Sequence, residues 1–344
     1  MQQPWELTKM TEYQATEGPE KSRQLFGMTL GSFIARFGAL FALIILVAVL
    51  SLASPVFLST NNVSNIGRQA GVNALLSVGM LLAIITAGID LSVGSILALS
   101  MCTLAVMAIE WHVNPYLSML ACLAVGAGVG LTNGLLLTRL HLPHPFIATL
   151  GMMNVARGLA LIITGASPIS GFDRAGAPQV LWLGSGSIGP IPVVVILVLV
   201  VYIIFHVLLS NTALGRHIYA VGGNTSAARL SGINVDRTLL IVYTLTGLMA
   251  GVGALVLAGR TNSGYPTAGA GYELDAIAAV IIGGASFSGG IGTVWGTLIG
   301  VILMAVLRNG LVLLKVPTEW QIVAIGLVII GAVYIDVLRQ RARR

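Results

Sequence analysis

The sequence predicts an all-α polytopic membrane protein with about ten transmembrane helices, some of them short or broken, and three observations support that class. Hydrophobic residues fill 56% of 344 positions and charged residues only 9%, where soluble domains carry about 25% charged residues. Mean hydropathy is +0.93. The apolar residues recur in runs of about 20, the length that crosses a bilayer core, and 42 glycines supply the small surfaces on which membrane helices approach one another.

Taken in order, residues 1–33 are polar, with Glu6, Glu12, Glu17 and Glu20. They lack the basic start and early apolar core of a cleaved signal peptide, so they read as a cytoplasmic tail. Apolar runs broken by Gly, Pro or charge then place spans near 34–54, 72–88, 92–110, 116–138, 145–165, 191–209, 239–258, 273–287, 292–314 and 320–337. The membrane region is thus 34–337. The second and eighth spans are short and end in Gly-rich turns, the pattern of half-spans or re-entrant pieces, which survive only inside protein. Residues 338–344, LRQRARR, form a basic tail.

With ten crossings both termini share a side. An inside N-terminus puts Lys9, Lys21, Arg23, Arg36, Arg139, Arg216, Arg229, Arg237, Arg339, Arg341, Arg343 and Arg344 in the cytoplasm, against Arg68, Arg174, Arg260 and Lys315 outside. That is the positive-inside asymmetry. The formal charge of +6 is explained by topology and anionic lipid; without aromatic interleaving it does not indicate nucleic-acid binding.

The same topology puts a polar interruption, residues 210–238 with Leu214 to Arg237 at its centre, in the cytoplasm between two long spans. A short helix is expected there, with Thr225 or Ser226 as N-cap and Gly232 in the left-handed C-terminal conformation. An ordinary surface turn is the plain alternative.

Chemistry-bearing motifs are few. GGASFSGGIG, Gly283 to Gly292, lacks the Lys and hydroxyl residue of a phosphate loop and reads as a tight membrane turn with close helix packing. No complete phosphate loop occurs elsewhere, so any ATP dependence must come from a partner. No HExxH, GxSxG or paired-Cys motif appears, so no catalytic residue and no metal ligand set is expected. His141 and His144 at i, i+3 read as interfacial residues, Cys102 and Cys122 as small packing residues, and Trp111 and Trp320 as interfacial anchors.

Ionisable groups in apolar surroundings carry more information, because a charge at the bilayer centre costs about 3 kcal/mol on insertion scales. Asp90 lies between two spans, as a coupling carboxylate or a cap on the third span. Arg157 sits mid-span, either held by internal partners or backbone carbonyls or lining a polar path; Arg308 is read the same way. Glu273 and Asp275 open the eighth span, where the helix dipole favours them. Asn154, Thr164 and Asn309 are polar residues in apolar runs, as path contributors or packing hydrogen bonds. AGIDLSVGSILALS and YELDAIAAVIIGGAS form a faint internal echo, the kind of pairing that marks transport sites in some carriers.

AGIDLSVGS (Ala87 to Ser95), PFIATLG (Pro145 to Gly151), GGNTSAARLSGIN (Gly222 to Asn234) and YELDAIAAVIIGG (Tyr272 to Gly284) together resemble the permease subunits of ribose-type bacterial monosaccharide ABC importers, over residues 35 to 337. That resemblance implies an architecture similar to the vitamin B12-type importer. It also implies a multi-pass inner-membrane protein, usually paired as a homodimer. Its partners would be an ATPase with two fused nucleotide-binding domains, which uses ATP and Mg, and a periplasmic sugar-binding protein. GGNTSAARLSGIN would be the ATPase-coupling segment, with Gly222, Gly223, Asn224, Ala227, Ala228, Arg229, Leu230, Ser231 and Gly232 as its residues. GASPISGFD and GGASFSGGIGTVWG look galactose-like, PTAGAGYELDAIAA and AARLSGINV ribose-like. The expected function is movement of a monosaccharide into the cytoplasm by alternating access. An ion-coupled secondary carrier, with Asp90 or Glu273 as its carboxylate, is the rival; an intramembrane enzyme is disfavoured for want of a nucleophile and base.

Overall fold

The computed structural model describes residues 24–25, 28–140, 142 and 144–341, and the chain divides into two compact units, Met1–Gly38 and Ala39–Arg344. Most of the predicted 1–33 tail, His141, Arg343 and Arg344 lie outside the described residues. The first unit contains a two-residue antiparallel ladder, Gln24–Leu25 against Met28–Thr29, and the start of α1, Leu30–Ala53.

The second unit is built from helices whose ends the sequence sets. Helix α2, Thr60–Ile85, begins where the Ser59 hydroxyl accepts from the Asn62 amide. Helix α3, Val93–Ala105, passes into a π turn, Val106–Glu110. Asn114 caps α4, Pro115–Thr138, and a first-position proline opens both α4 and α5, Pro145–Ile163, where a missing N–H costs nothing. Short α6, Pro178–Ser185, precedes α7, Val193–Asn211. Then come α8, Ala213–Gly223, and α9, Thr225–Leu230. Helix α10, Val235–Thr261, ends at Asn262 in the left-handed conformation. Helix α11, Tyr272–Ile282, is followed by α12, Val294–Leu313, and α13, Thr318–Arg341.

Burial sorts these helices into layers. Of the apolar window of α2, 83% is buried, and of α3 78%, against 22% for α5. The inner set is therefore α2, α3 and α10. Helix α4 crosses α10 on glycine: a Cβ on Gly126 would come 2.6 Å from the Gly247 carbonyl and 3.0 Å from Gly251, so the two backbones touch as small residues permit. Helices α5, α7 and α13 turn Ile162, Ile204, Leu327 and Ile330 outward, the apolar surface a lipid-facing helix presents.

All ten apolar segments read from the sequence fall on helices, and among the described residues seven helices are long and apolar enough to cross a membrane by length and composition. The second segment is corrected: α2 has 26 residues, not a short span from 72. Its first turns, TNNVSNIGRQ, are polar in sequence but hold internal partners; Asn62 donates to the Phe57 carbonyl at 2.8 Å and exchanges hydrogen bonds with Asn309 at 3.0 and 2.9 Å. The eighth segment, α11, has 11 residues, about 16 Å of helix, roughly half a bilayer core. The chain reaches it through residues 262–271, most of them buried or half-buried with Thr267 and Ala270 exposed: Ser263 and Gly264 pair with Ser170 and Ile169, and the Pro266 and Ala268 carbonyls accept from Arg157. These pairings satisfy irregular backbone that could not stand unpaired in lipid.

Candidate coupling site and buried polar groups

The polar stretch 210–238 is almost wholly helical, where one short helix was expected. Helix α8 was missed because its pattern mixes Arg216 and His217 with the buried Ile218 and Val221. Thr212 caps it by accepting from the Gly215 amide at 3.2 Å. The cap of α9 is also corrected. Asn224 takes that role, accepting from the Ala227 amide at 2.9 Å, whereas the Thr225 hydroxyl donates back to Val221 at 2.9 Å and Thr225 is the first helical residue. Gly232 adopts φ +82°, and the Ile233 amide closes the helix end on the Ala228 carbonyl at 3.1 Å, the left-handed stop.

Helix α9 rests on a small apolar seat formed by Val221, Ala228 and Val235. Its outer face is free: Leu230 is 91% exposed, and Arg229 and Asp236 pair loosely at 3.8 Å with side chains 69% and 55% exposed. Such a pair contributes about 0.2–1 kcal/mol, so the face is not held by its own charges. The face thus presents an almost fully exposed Leu beside a cation on a capped and seated helix.

Behind that surface, α8 touches two other elements backbone to backbone. A Cβ on Gly222 would overlap the Ile85 carbonyl at the end of α2 and lie 2.7 Å from the Gly290 amide. The Gly290 amide itself donates to the Ile85 carbonyl at 2.8 Å, and the Tyr219 hydroxyl donates to the Gly292 carbonyl at 2.8 Å. GGASFSGGIG is therefore the loop between α11 and α12, clasped between α8 and the end of α2. Asp336 of α13 also accepts from Ser286 Oγ and the Phe287 amide, at 3.4 and 3.3 Å. The sequence reading passed over Asp336, a carboxylate inside an apolar run.

Just past Ile85, Asp90 is fully buried. Its Oδ1 accepts from the Ser92 amide at 2.9 Å and the Ser92 hydroxyl at 2.5 Å, and Asn133 Nδ2 stands 3.4 Å from Oδ2. The bond goes to Ser92, ahead of α3, rather than to the first turn of that helix. Burial pushes the Asp90 carboxyl above the usual carboxylate range, against the downward pull of the Ser92 and Asn133 hydrogen bonds. On the 165–173 loop, Asn262 Nδ2 donates to the exposed Asp173 at 2.8 Å and holds that carboxyl below the usual range.

The other polar candidates separate into groups. Arg157 donates to the Ala268 carbonyl at 2.7 Å and to that of Pro266, the backbone-carbonyl option of its reading. Glu273 accepts from the Gly271 amide at 3.2 Å, and the absent side chain of Gly94 leaves room for Glu273 and Gly269. Asp275 is paired with Arg308, both carboxylate oxygens lying 2.7 Å from Nη2. The sequence reading named both residues without joining them, because 33 positions separate them. Asn154 and Thr164 bond within their own helix, to the Leu150 and Ala160 carbonyls, and Asn309 is taken by Asn62. Gln69, Asn73, Asn133 and Tyr243 are further polar residues of the helix bundle that the reading missed; Gln69 lies in the polar start of α2, and the other three have no motif to mark them. Among the described residues no cluster of His, Cys, Asp and Glu fits a metal ion.

Known proteins resemble this chain along most of its length. Residues 62–333 match the family described as the branched-chain amino acid transport system/permease component. The chain is 44% identical over 303 residues to the ribose import permease protein RbsC of Escherichia coli K12, covering 88% of this chain and 94% of that protein. It is 44% identical over 301 residues to RbsC of Bacillus subtilis 168, covering 88% and 92%. The galactose/methyl galactoside import permease protein MglC of Escherichia coli K12 is 37% identical over 330 residues, covering 91% and 97%. No solved structure matches. A family match that takes in α2 through most of α13, with relatives aligned along nearly their whole length, leads to one conclusion: the chain belongs to the branched-chain amino acid transport system/permease component family.

Proposed function

We propose that this permease subunit moves a monosaccharide, ribose- or galactose-like, from periplasm to cytoplasm by alternating access, driven by a separate ATPase that docks on α8 and α9. The relatives named for ribose, allose and galactose support the substrate class. One observation carries the coupling reading. The exposed face of α9, with Arg229 and Leu230, stands on α8, and α8 is joined by backbone contact at Gly222 to α2 and to the loop between α11 and α12. A displacement of α8 must therefore displace both, and a partner that binds one position of α8 better than the other biases the two arrangements.

In this reading the chain works as a homodimer of vitamin B12-type architecture, with ten membrane segments and both termini in the cytoplasm. Gly222, Gly223, Asn224, Ala227, Ala228, Arg229, Leu230, Ser231 and Gly232 form the docking segment. The ATPase carries two fused nucleotide-binding domains and uses ATP and Mg, while this chain binds neither; a periplasmic binding protein delivers the sugar. A neutral sugar needs weak polar contacts along the path, and tight binding there would slow release. Arg229→Glu tests the docking. Its loss of the Asp236 pair costs little, so the variant should insert normally while ATPase co-purification falls about tenfold, the ~1.4 kcal/mol expected of one interface contact. Unchanged co-purification and uptake would remove the docking assignment.

A further inference from the structure

Between α2, α11 and α12 lies a cavity of about 70 Å³ lined by Gln69, Asn73, Tyr272, Asp275 and Arg308, with Ala70 and Ala305 completing the wall. Its polar atoms are not all satisfied. Asn73 Oδ1 and Arg308 Nε are buried without a hydrogen-bond partner, although most buried polar atoms in folded proteins have one. Asp275 is 4% exposed, and both its oxygens face Arg308 Nη2, leaving further lone pairs to accept from a ligand.

We propose, resting on the permease reading above, that this cavity is a sugar-hydroxyl subsite on the translocation path. A hydroxyl both accepts and donates, so one hydroxyl serves Arg308 Nε as acceptor and Asn73 Oδ1 as donor. A sugar ring holds several such groups on one edge in fixed geometry, which a flexible open-chain polyol does not. The formal charges of Asp275 and Arg308 cancel, which suits a neutral ligand. The room is that of a few water-sized groups, enough for hydroxyls.

The walls of the cavity are also the elements that the docking segment holds. Gln69 and Asn73 stand on α2, whose last carbonyl abuts Gly222. Asp275 and Arg308 stand on the helices that flank the loop clasped by Tyr219 and Gly222. Motion of α8 thus reaches both sides of the subsite, widening or closing it in step with the ATPase.

The test uses single cysteines in the complete importer in lipid, Asn73→Cys and, because Asn73 carries the chemistry, Ala70→Cys as the milder second variant. The native Cys102 and Cys122 are buried, and the unsubstituted complex supplies the labelling blank. Modification by a small methanethiosulfonate is timed with D-ribose, D-allose, D-galactose or mannitol, in the resting complex and in the vanadate-trapped one. At least one of the three sugars is expected to slow labelling about threefold or more in one state, saturably, while mannitol does not. Equal rates with all four solutes in both states, or cysteines inert in both, would overturn the subsite. ATP-dependent uptake by the unsubstituted complex in the same preparation reports separately on the permease reading, so failure of the subsite and failure of that reading are told apart.

Discussion

Replacing Gly222 by Ala puts a methyl group where α8 meets the end of α2. The new Cβ would overlap the Ile85 carbonyl oxygen and come within 2.7 Å of the Gly290 amide, and both neighbours are backbone. A flexible side chain could swing aside; a helix-terminal carbonyl and the amide hydrogen-bonded to it at 2.8 Å cannot move alone. Overpacking a close contact costs about 1–3 kcal/mol, and a backbone-to-backbone clash belongs at the upper end, so about 2–3 kcal/mol is expected. Gly223, the next residue, is the control. A Cβ there meets nothing within 4 Å, and Gly→Ala in a helix is favourable by up to about 1 kcal/mol. Thermal unfolding of the two variants in detergent, with sugar uptake measured in parallel, separates them: Gly222→Ala loses stability and uptake together, and Gly223→Ala stays within about 1 kcal/mol of the parent. Equal stability of the two would refute the claim that α8 and α2 are locked at Gly222.

Two further outcomes concern the interior. Arg157→Ala leaves the Pro266 and Ala268 carbonyls without their donor and should cost about 3–6 kcal/mol, roughly 1.5–3 for each lost charged hydrogen bond; a wild-type unfolding curve would show the charge to be dispensable. Asn309→Leu strands Asn62 and should destabilise by about 1–3 kcal/mol, while the double change Asn62→Leu with Asn309→Leu should recover part of the loss, a sign read from a double-mutant cycle.

What the sequence revealed and what it hid follow from the range of each interaction. Apolar runs and single caps are local, so the segments that became α3, α4, α5, α7, α10 and α12 could be placed within a few residues. The helix stop at Gly232 was legible for the same reason, since one residue needs positive φ. The first turns of α2 were hidden because Asn62 and Arg68 look like loop until their partners are known. Asn62 finds Asn309 across 247 positions. Asp275 and Arg308 were each legible as isolated charges in apolar surroundings, but their pairing depends on α11 lying against α12. Helix α8 was missed because its apolar positions Ile218 and Val221 are interleaved with polar ones and find their packing partners only in the folded chain. The cavity at Asn73 was invisible for the same cause, being assembled from three helices with one or two polar residues on each.

The central claim is that the drive for transport arrives from outside this chain, through α8 and α9. Reconstitution in proteoliposomes tests it most directly, comparing the purified chain alone under a proton or sodium gradient with the same chain joined by its ATPase, ATP, Mg and sugar-loaded binding protein. Sugar should accumulate only in the second case, and Arg229→Glu should abolish most of that accumulation. Accumulation by the chain alone under an ion gradient would contradict the account and return Asp90 or Glu273 to the role of coupling carboxylate.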